Sequence, residues 1–138
     1  MGIELSENYL SIDAEIKAKE FAQNNLDKNQ LRKFYDDFKL LERKIHDDIT
    51  EDKFKSNILP LIKLAKSKIA YNAGRKVNNK PLVPKVFKDH LDQQINNIKS
   101  IKDFQYFLLH FQAIIGYFTY FSEIEKATYQ NTNYGGKK

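Results

Sequence analysis

The stretch KNQLRKFYDDFKLLERKI, residues 28–45, decides the fold. Leu31, Phe34, Phe38, Leu41 and Ile45 recur at threes and fours, and at about 100° per residue they fall within roughly 80° of arc. A single apolar stripe on an otherwise charged segment predicts an amphipathic helix whose oily side is buried. The same segment raises a question of function, because Arg32 and Lys33 sit between Leu31 and Phe34. A basic face on such a helix is either solvated surface or the seat of an anion.

Working outward, the same spacing predicts more helices. Residues 1–10 read as irregular, and Ile12, Ile16 and the Phe21/Ala22 pair then mark a weaker helix ending near Asn24. Thr50 offers an N-cap, with Glu51 and Asp52 in a first turn that favours negative charge. Phe54, Ile58, Ile62, Ala65 and Ile69 carry the buried face of that helix. Pro60 lacks an N–H and clashes with the preceding turn, so a kink or restart is expected near Leu59. The helix should end between Gly74 and Lys76, and VNNKPLVP, residues 77–84, is the long connection. Pro84 then opens a helix holding Phe87, Leu91, Ile95 and Ile98. Ser100 and Asp103 resemble a capping box before a last helix rich in apolar residues from Phe104 to Phe121, more than one surface stripe requires. That helix is either central or part of an interface. The polar tail from Gln130 reads as disordered. The expected fold class is all-α, a compact bundle of about five helices forming one domain over residues 1–129, followed by a flexible tail over 130–138.

Composition agrees. In 138 residues, hydrophobic types make up 41% and charged types 30%, and only 5 glycines and 3 prolines interrupt the helical patterns. With no cysteine, disulfides, thiolate nucleophiles and Cys-based metal sites are excluded. The N-terminus has neither a basic region nor an apolar run of the signal-peptide kind, and no segment approaches the roughly 18 apolar residues of a membrane span. The protein is expected in the cytoplasm. A net charge of +5 makes a polyanion a plausible partner.

Catalytic chemistry finds no carrier. His46, His90 and His110 lie on separate helices and read as surface or core-edge histidines. Asp47 and Asp48 beside His46 are neighbours on a helix end, pointing about 100° apart rather than converging. Phosphate loops and nucleophile elbows are missing: Gly74 stands alone. Neither a metal nor another cofactor is expected.

The basic residues are better ordered. Counted from Leu31, Lys28, Lys39, Arg32 and Arg43 fall at about 60°, 80°, 100° and 120°, a ribbon roughly 22 Å long beside the apolar stripe. Asp36 interrupts its edge, so a solvated face with Arg32 paired to Asp36 and a track for phosphates both stay open. On the next long helix Leu64, Lys68, Tyr71 and Arg75 share an edge, with Lys63 and Lys66 on the exposed side. A ring among cations suits a backbone contact plus a ring against a base or sugar; it equally suits a tyrosine closing the core margin. Leu40 faces away from the stripe of its own helix, as a subunit contact would.

Three segments, NQLRKFYDDF (29–38), KLAKSKIAYNAGR (63–75) and DFQYFLLHFQAIIGYF (103–118), resemble, in order and spacing, the small α-helical subunit of the type III-A CRISPR (Csm) effector complex. The resemblance implies a five-helix bundle without catalytic activity, repeated head to tail as a minor filament beside the RNase-bearing backbone subunits and the large polymerase-like subunit. It implies CRISPR RNA and target RNA as partners, held by their backbones through basic side chains. The matching positions are Arg32, Lys33, Arg43, Lys68 and Arg75, extended by Lys28, Lys39 and Lys63. A type III-B small subunit and a helical protein-interaction module without RNA are the alternative readings.

Overall fold

A computed structural model describes residues 2–136, with side chains through Ile124. Its first element is a single turn, α1 (Glu7–Leu10), started by Ser6, whose hydroxyl accepts the Tyr9 N–H at 3.1 Å. This turn was not expected, and it buries none of its residues.

The next helix, α2 (Ile12–Gln23), corrects the reading of its buried face. Ala14, Ala18, Phe21 and Ala22 are buried, whereas Ile12 and Ile16 are 53% and 56% exposed. Alanines at i, i+4 and i+8 keep little bulk between the backbones, and α2 lies directly along the last helix through that small-residue side. The helix ends with Asn25 in the left-handed region (φ 63°). Leu26 N–H donates to Phe21 O at 3.1 Å and Asn25 N–H to Ala22 O at 3.2 Å, a Schellman arrangement that tucks Leu26 into the core.

In α3 (Lys28–Glu42) Leu31, Phe34 and Phe38 are buried as their spacing requires. Leu41 and Ile45 pack at the margin, Ile45 from a turn beyond the helix end. Thr50 caps α4 (Glu51–Lys53), accepting the Lys53 N–H at 3.1 Å. A π-helical turn, Phe54–Ile58, leads without a break into α5 (Leu59–Gly74). Pro60 explains the π turn. It has no N–H for a regular ladder bond and its ring crowds the carbonyl four residues back; the chain widens instead, with the Leu59 N–H reaching Phe54 O.

The segment expected as a plain connection holds a two-stranded hairpin, β1 (Lys76–Val77) with antiparallel β2 (Lys80–Pro81). Asn78 and Asn79, at φ 55° and 66°, supply the two positive dihedrals of a type I′ turn. Pro84 caps α6 (Lys85–Asn96), which buries Phe87, His90, Leu91 and Ile95. The last helix is α7 (Ile101–Gly136). Ser100 caps it, accepting the Asp103 N–H at 3.1 Å, and Glu51 reaches across to the Ile101 N–H at 2.9 Å. Instead of closing a capping box on Ser100, the Asp103 carboxylate accepts the N–H groups of Lys99 and Ile3, both at 2.8 Å. Gly2 is required there, since a Cβ on it would stand 2.5 Å from Asp103 Oδ1. The tail expected over 130–138 lies outside the residues whose side chains are described.

The architecture is therefore the expected helical bundle: α2, α3, the run from α4 through α5, α6 and α7, with α1 as an added turn. Its last helix is central, packed by α1, α2 and α3, while α5 carries α6. The core is one cluster dominated by phenylalanines, with Phe38 meeting Phe107 edge-on at 5.1 Å and Phe87 bridging to Phe21 and Phe34. Among the described residues no helix is long and apolar enough to cross a membrane.

Candidate nucleic-acid interface

Helices α3 and α5 lie side by side and leave a groove between them. At one end Lys33, Lys68, Tyr71 and Arg75 surround a cavity of about 400 Å³, with Asp37, Ser67 and Asn72 completing its wall. Each basic residue is set by its element. Lys33 follows the ridge of Phe34, its ammonium 5.6 Å from that ring. Lys68, Tyr71 and Arg75 share an edge of α5 because they stand three and four apart. Arg75 leaves the helix in an extended conformation, its N–H on Tyr71 O at 2.9 Å and its carbonyl on the Leu82 N–H at 3.0 Å, so the hairpin fixes where the guanidinium starts. Asn72, buried beneath, donates to Gln30 Oε1 at 3.0 Å and ties α5 to α3. The Tyr71 ring is 65% exposed, so it does not close the core margin.

The groove continues past Phe34, Asp37 and Lys68 into an apolar half of about 430 Å³ that includes Leu40, Leu41, Leu61, Leu64 and Lys44. Leu40 and Leu64 are 54% and 50% exposed there. Sequence reasoning singled out Leu40, placed Leu64 on an edge with Lys68, Tyr71 and Arg75, and missed Leu61; that the three meet in one groove shows only once α5 is laid against α3.

The two basic edges of α3 are separated. Lys33 faces the groove, whereas Lys28, Arg32, Lys39 and Arg43 follow the other edge, on the side where Tyr35 packs against Phe111 of α7 at 5.4 Å. Lys28, Arg32 and Arg43 are exposed. Among the described residues Arg32 has no ion pair with Asp36. Lys39 is held by Glu42 at 2.5 Å, and that hydrogen bond keeps its ammonium above the usual lysine range. Lys63 joins neither edge. Its ammonium donates to Ile95 O at 2.7 Å, closing the C-terminus of α6, and burial, then the charges of Lys99 and Lys66, lower its pKa. Lys66 is likewise turned to α6, on Asn96 Oδ1.

Of the histidines, His46 is exposed in a turn with Asp47 and Asp48. His90 and His110 correct the core-edge reading: they are 7% and 1% exposed and face one another, Nε2 to Nε2, at 3.0 Å. A signal was present, since each sits within the apolar spacing of its helix, His90 between Phe87 and Leu91 and His110 between Phe107 and Phe111. Among the described residues no three His, Asp or Glu side chains group as a metal site.

Comparison with known proteins identifies the family. The Csm2 Type III-A family model matches residues 4–123. No curated protein and no solved structure matches the chain. The family match runs from the segment held by Asp103 to the outer turns of α7 and takes in both edges of α3 and the whole α3–α5 groove, and the chain belongs to the Csm2 Type III-A family, a small subunit of type III-A Csm complexes.

Proposed function

We propose that this chain is a non-catalytic RNA-holding subunit of the cytoplasmic type III-A effector, repeated along the duplex of CRISPR RNA and target RNA. The observation that carries the reading is the convergence of Lys33, Lys68 and Arg75 around the exposed Tyr71 ring in one cavity. Three cations within one groove suit phosphate oxygens, and a ring among them suits a ribose or base face. Such contacts carry no sequence information, as an effector that accepts any guide requires. Lys28, Arg32 and Arg43 on the other edge of α3 offer a second line of phosphate contacts. Lys39 and Lys63 contribute charge at a distance, their ammonium groups being engaged by Glu42 and Ile95.

The apolar half of the groove supports protein contacts beside the RNA: with the backbone RNase subunit, the large polymerase-like subunit or the next copy. Leu40, Leu61 and Leu64 line one groove, and other exposed apolar side chains, Ile12 and Ile16 of α2 and Tyr120 of α7, lie outside it. A copy that seats some of these outlying side chains in the groove of the next makes a contact between unlike surfaces, which gives a head-to-tail array rather than a closed pair.

The test is target-RNA binding by assembled complexes carrying Lys68→Ala with Arg75→Ala, across a salt series. Binding should weaken for every target sequence alike, and the slope of log affinity against log salt should flatten by about 0.7 for each single-strand phosphate that is no longer neutralised. An unchanged slope would show that the groove holds no RNA.

A further inference from the structure

The hydrogens of the buried histidine pair follow from its partners. His110 Nδ1 stands 2.6 Å from the carbonyl oxygen of Tyr9, which only accepts, so Nδ1 carries the proton; burial disfavours a second one, and Nε2 of that ring then carries a lone pair. His90 Nε2, 3.0 Å away, must then donate to it. His90 Nδ1 is left with a lone pair, and it is buried without a hydrogen-bond partner among the described residues. Both rings are neutral. The chain of bonds runs from α6 through α7 to the backbone of α1.

Residues 2–10 are fastened to the bundle chiefly by this chain and its neighbours. Tyr9 stacks flat on His110, centroids 4.0 Å apart and planes within 6°, and its hydroxyl donates to Gln94 Oε1 at 2.5 Å. Further back, Ile3 N–H is held by Asp103. No residue of α1 is buried. The segment is a strap held by these polar contacts and by the half-buried Ile3 at the core margin, and it borders a cavity of about 250 Å³ that reaches both imidazoles.

We propose that the His90–His110–Tyr9 chain is a proton-sensitive latch, which holds residues 2–10 against α6 and α7 while both imidazoles are neutral and releases them when either takes up a proton. A proton on His110 Nε2 would either set two N–H groups head-on across 3.0 Å or drive the His90 proton from Nε2 to Nδ1, which is buried with nothing to accept it among the described residues. A proton on His90 Nδ1 would place a charged ring with an unmatched donor in a site 7% exposed. Either way the closed pair holds a buried charge and an unmatched donor, which opening relieves, and the strap is the part that moves most easily, having no buried side chain in α1 to retain it. The charged and titratable groups facing the pair are Tyr9 from α1 and Asp13 and Lys17 from α2; α6 adds only the neutral Gln93 and Gln94. Asp13 favours a charged His110, and Lys17 opposes a charged His90. Burial outweighs Asp13, and both rings are held below the usual histidine range.

The test is amide hydrogen exchange of the full chain at about pH 7.5 and about pH 5, corrected for intrinsic rates. Residues 3–10 should lose protection at least about tenfold in acid, while the amides around Phe38 in α3 and Phe107 in α7 keep theirs. In a His90→Leu, His110→Gln variant, where Gln keeps an N–H for Tyr9 O and nothing titrates, the strap should be equally protected at both pH values. Unchanged wild-type protection, simultaneous loss in strap and core, or acid release that persists in the variant would each overturn the latch. Nitrogen chemical shifts of the two rings in the wild type give an independent measurement. Ring protonation should track strap exchange, and titration of the rings with a still-protected strap would also overturn it.

Discussion

His90 and His110 face each other Nε2 to Nε2 at 3.0 Å, and an additional proton on the pair leaves a buried N–H at His90 Nδ1 with no acceptor among the described residues. Burial, then the repulsion between the two rings when both are protonated and the charge of Lys17, push His90 down to about 3. An unfolded histidine binds its proton near pH 6.5, so below that pH the unfolded chain holds more protons than the native one and stability falls as pH falls. Between about pH 7 and about pH 5 the loss should reach roughly 2 kcal/mol, levelling off once the strap has opened and the rings face water. Urea unfolding across that range should show the slope in the wild type and a much flatter one in the His90→Leu, His110→Gln variant. Equal slopes would assign the acid sensitivity to carboxylates.

The two faces of α3 should separate in stability. Phe38→Ala removes a ring that meets Phe104, Phe107 and Phe111, a change that typically costs about 3 to 5 kcal/mol. Arg32→Ala, exposed and unpaired among the described residues, should stay within about 0.5 kcal/mol. Thermal and urea unfolding of both variants checks this. Comparable destabilisation would mean that Arg32 supports the bundle.

The legibility of the fold follows from which residues make each contact. Large side chains at regular spacing, Leu31, Phe34 and Phe38 or Phe87, Leu91 and Ile95, declare their buried face in the sequence. α2 does not, because its contact with α7 rests on Ala14, Ala18 and Ala22, whose value is closeness rather than oiliness, while the conspicuous Ile12 and Ile16 point outward. Asn78 and Asn79 carried a hairpin signal of the right kind, two adjacent residues tolerant of positive φ, inside a stretch too short and polar to read as strands. For the candidate site, the cations were legible one by one. Their grouping was not, since Lys33 and Arg32 differ by only one position yet stand about 100° apart, and only the placement of α5 decides which of them meets Lys68 and Arg75.

The isolated protein should leave RNA intact with or without divalent metal. His46, Asp47 and Asp48 are exposed in a turn and the two other histidines are engaged with each other. Incubation of labelled single-stranded RNA with the purified chain checks this. Cleavage that follows the chain through purification and vanishes in His46→Ala or Asp48→Ala would restore an enzymatic role.

Tyr71 should act through its ring. Replacing it by Phe keeps the apolar face between Lys68 and Arg75 and should leave target-RNA binding by the assembled complex within about twofold, whereas Tyr71→Ala should weaken it by the roughly 1 to 3 kcal/mol that ring stacking contributes. Because the side chain is 65% exposed, neither change should shift the melting temperature appreciably. A loss of binding in Tyr71→Phe equal to that in Tyr71→Ala would point to the hydroxyl instead.

The two edges of α3 make the last distinction. Arg32→Ala with Arg43→Ala removes two exposed cations from the edge away from the groove, and Lys137→Ala with Lys138→Ala removes the same charge from the C-terminal end of the chain. If Arg32 and Arg43 meet phosphates, the first pair lowers the salt slope of target binding by about 1.4, at about 0.7 per phosphate on a single strand, and the second pair leaves it unchanged. One chain offers few contacts, so the effect should be far larger in the assembled complex, where neighbouring copies hold the same duplex, than in the isolated protein. Equal weakening in the two variants would mean that net charge alone attracts the RNA. A flattened slope for Lys68→Ala with Arg75→Ala, but not for Arg32→Ala with Arg43→Ala, would confine the RNA to the groove and leave the outer edge of α3 to water or protein.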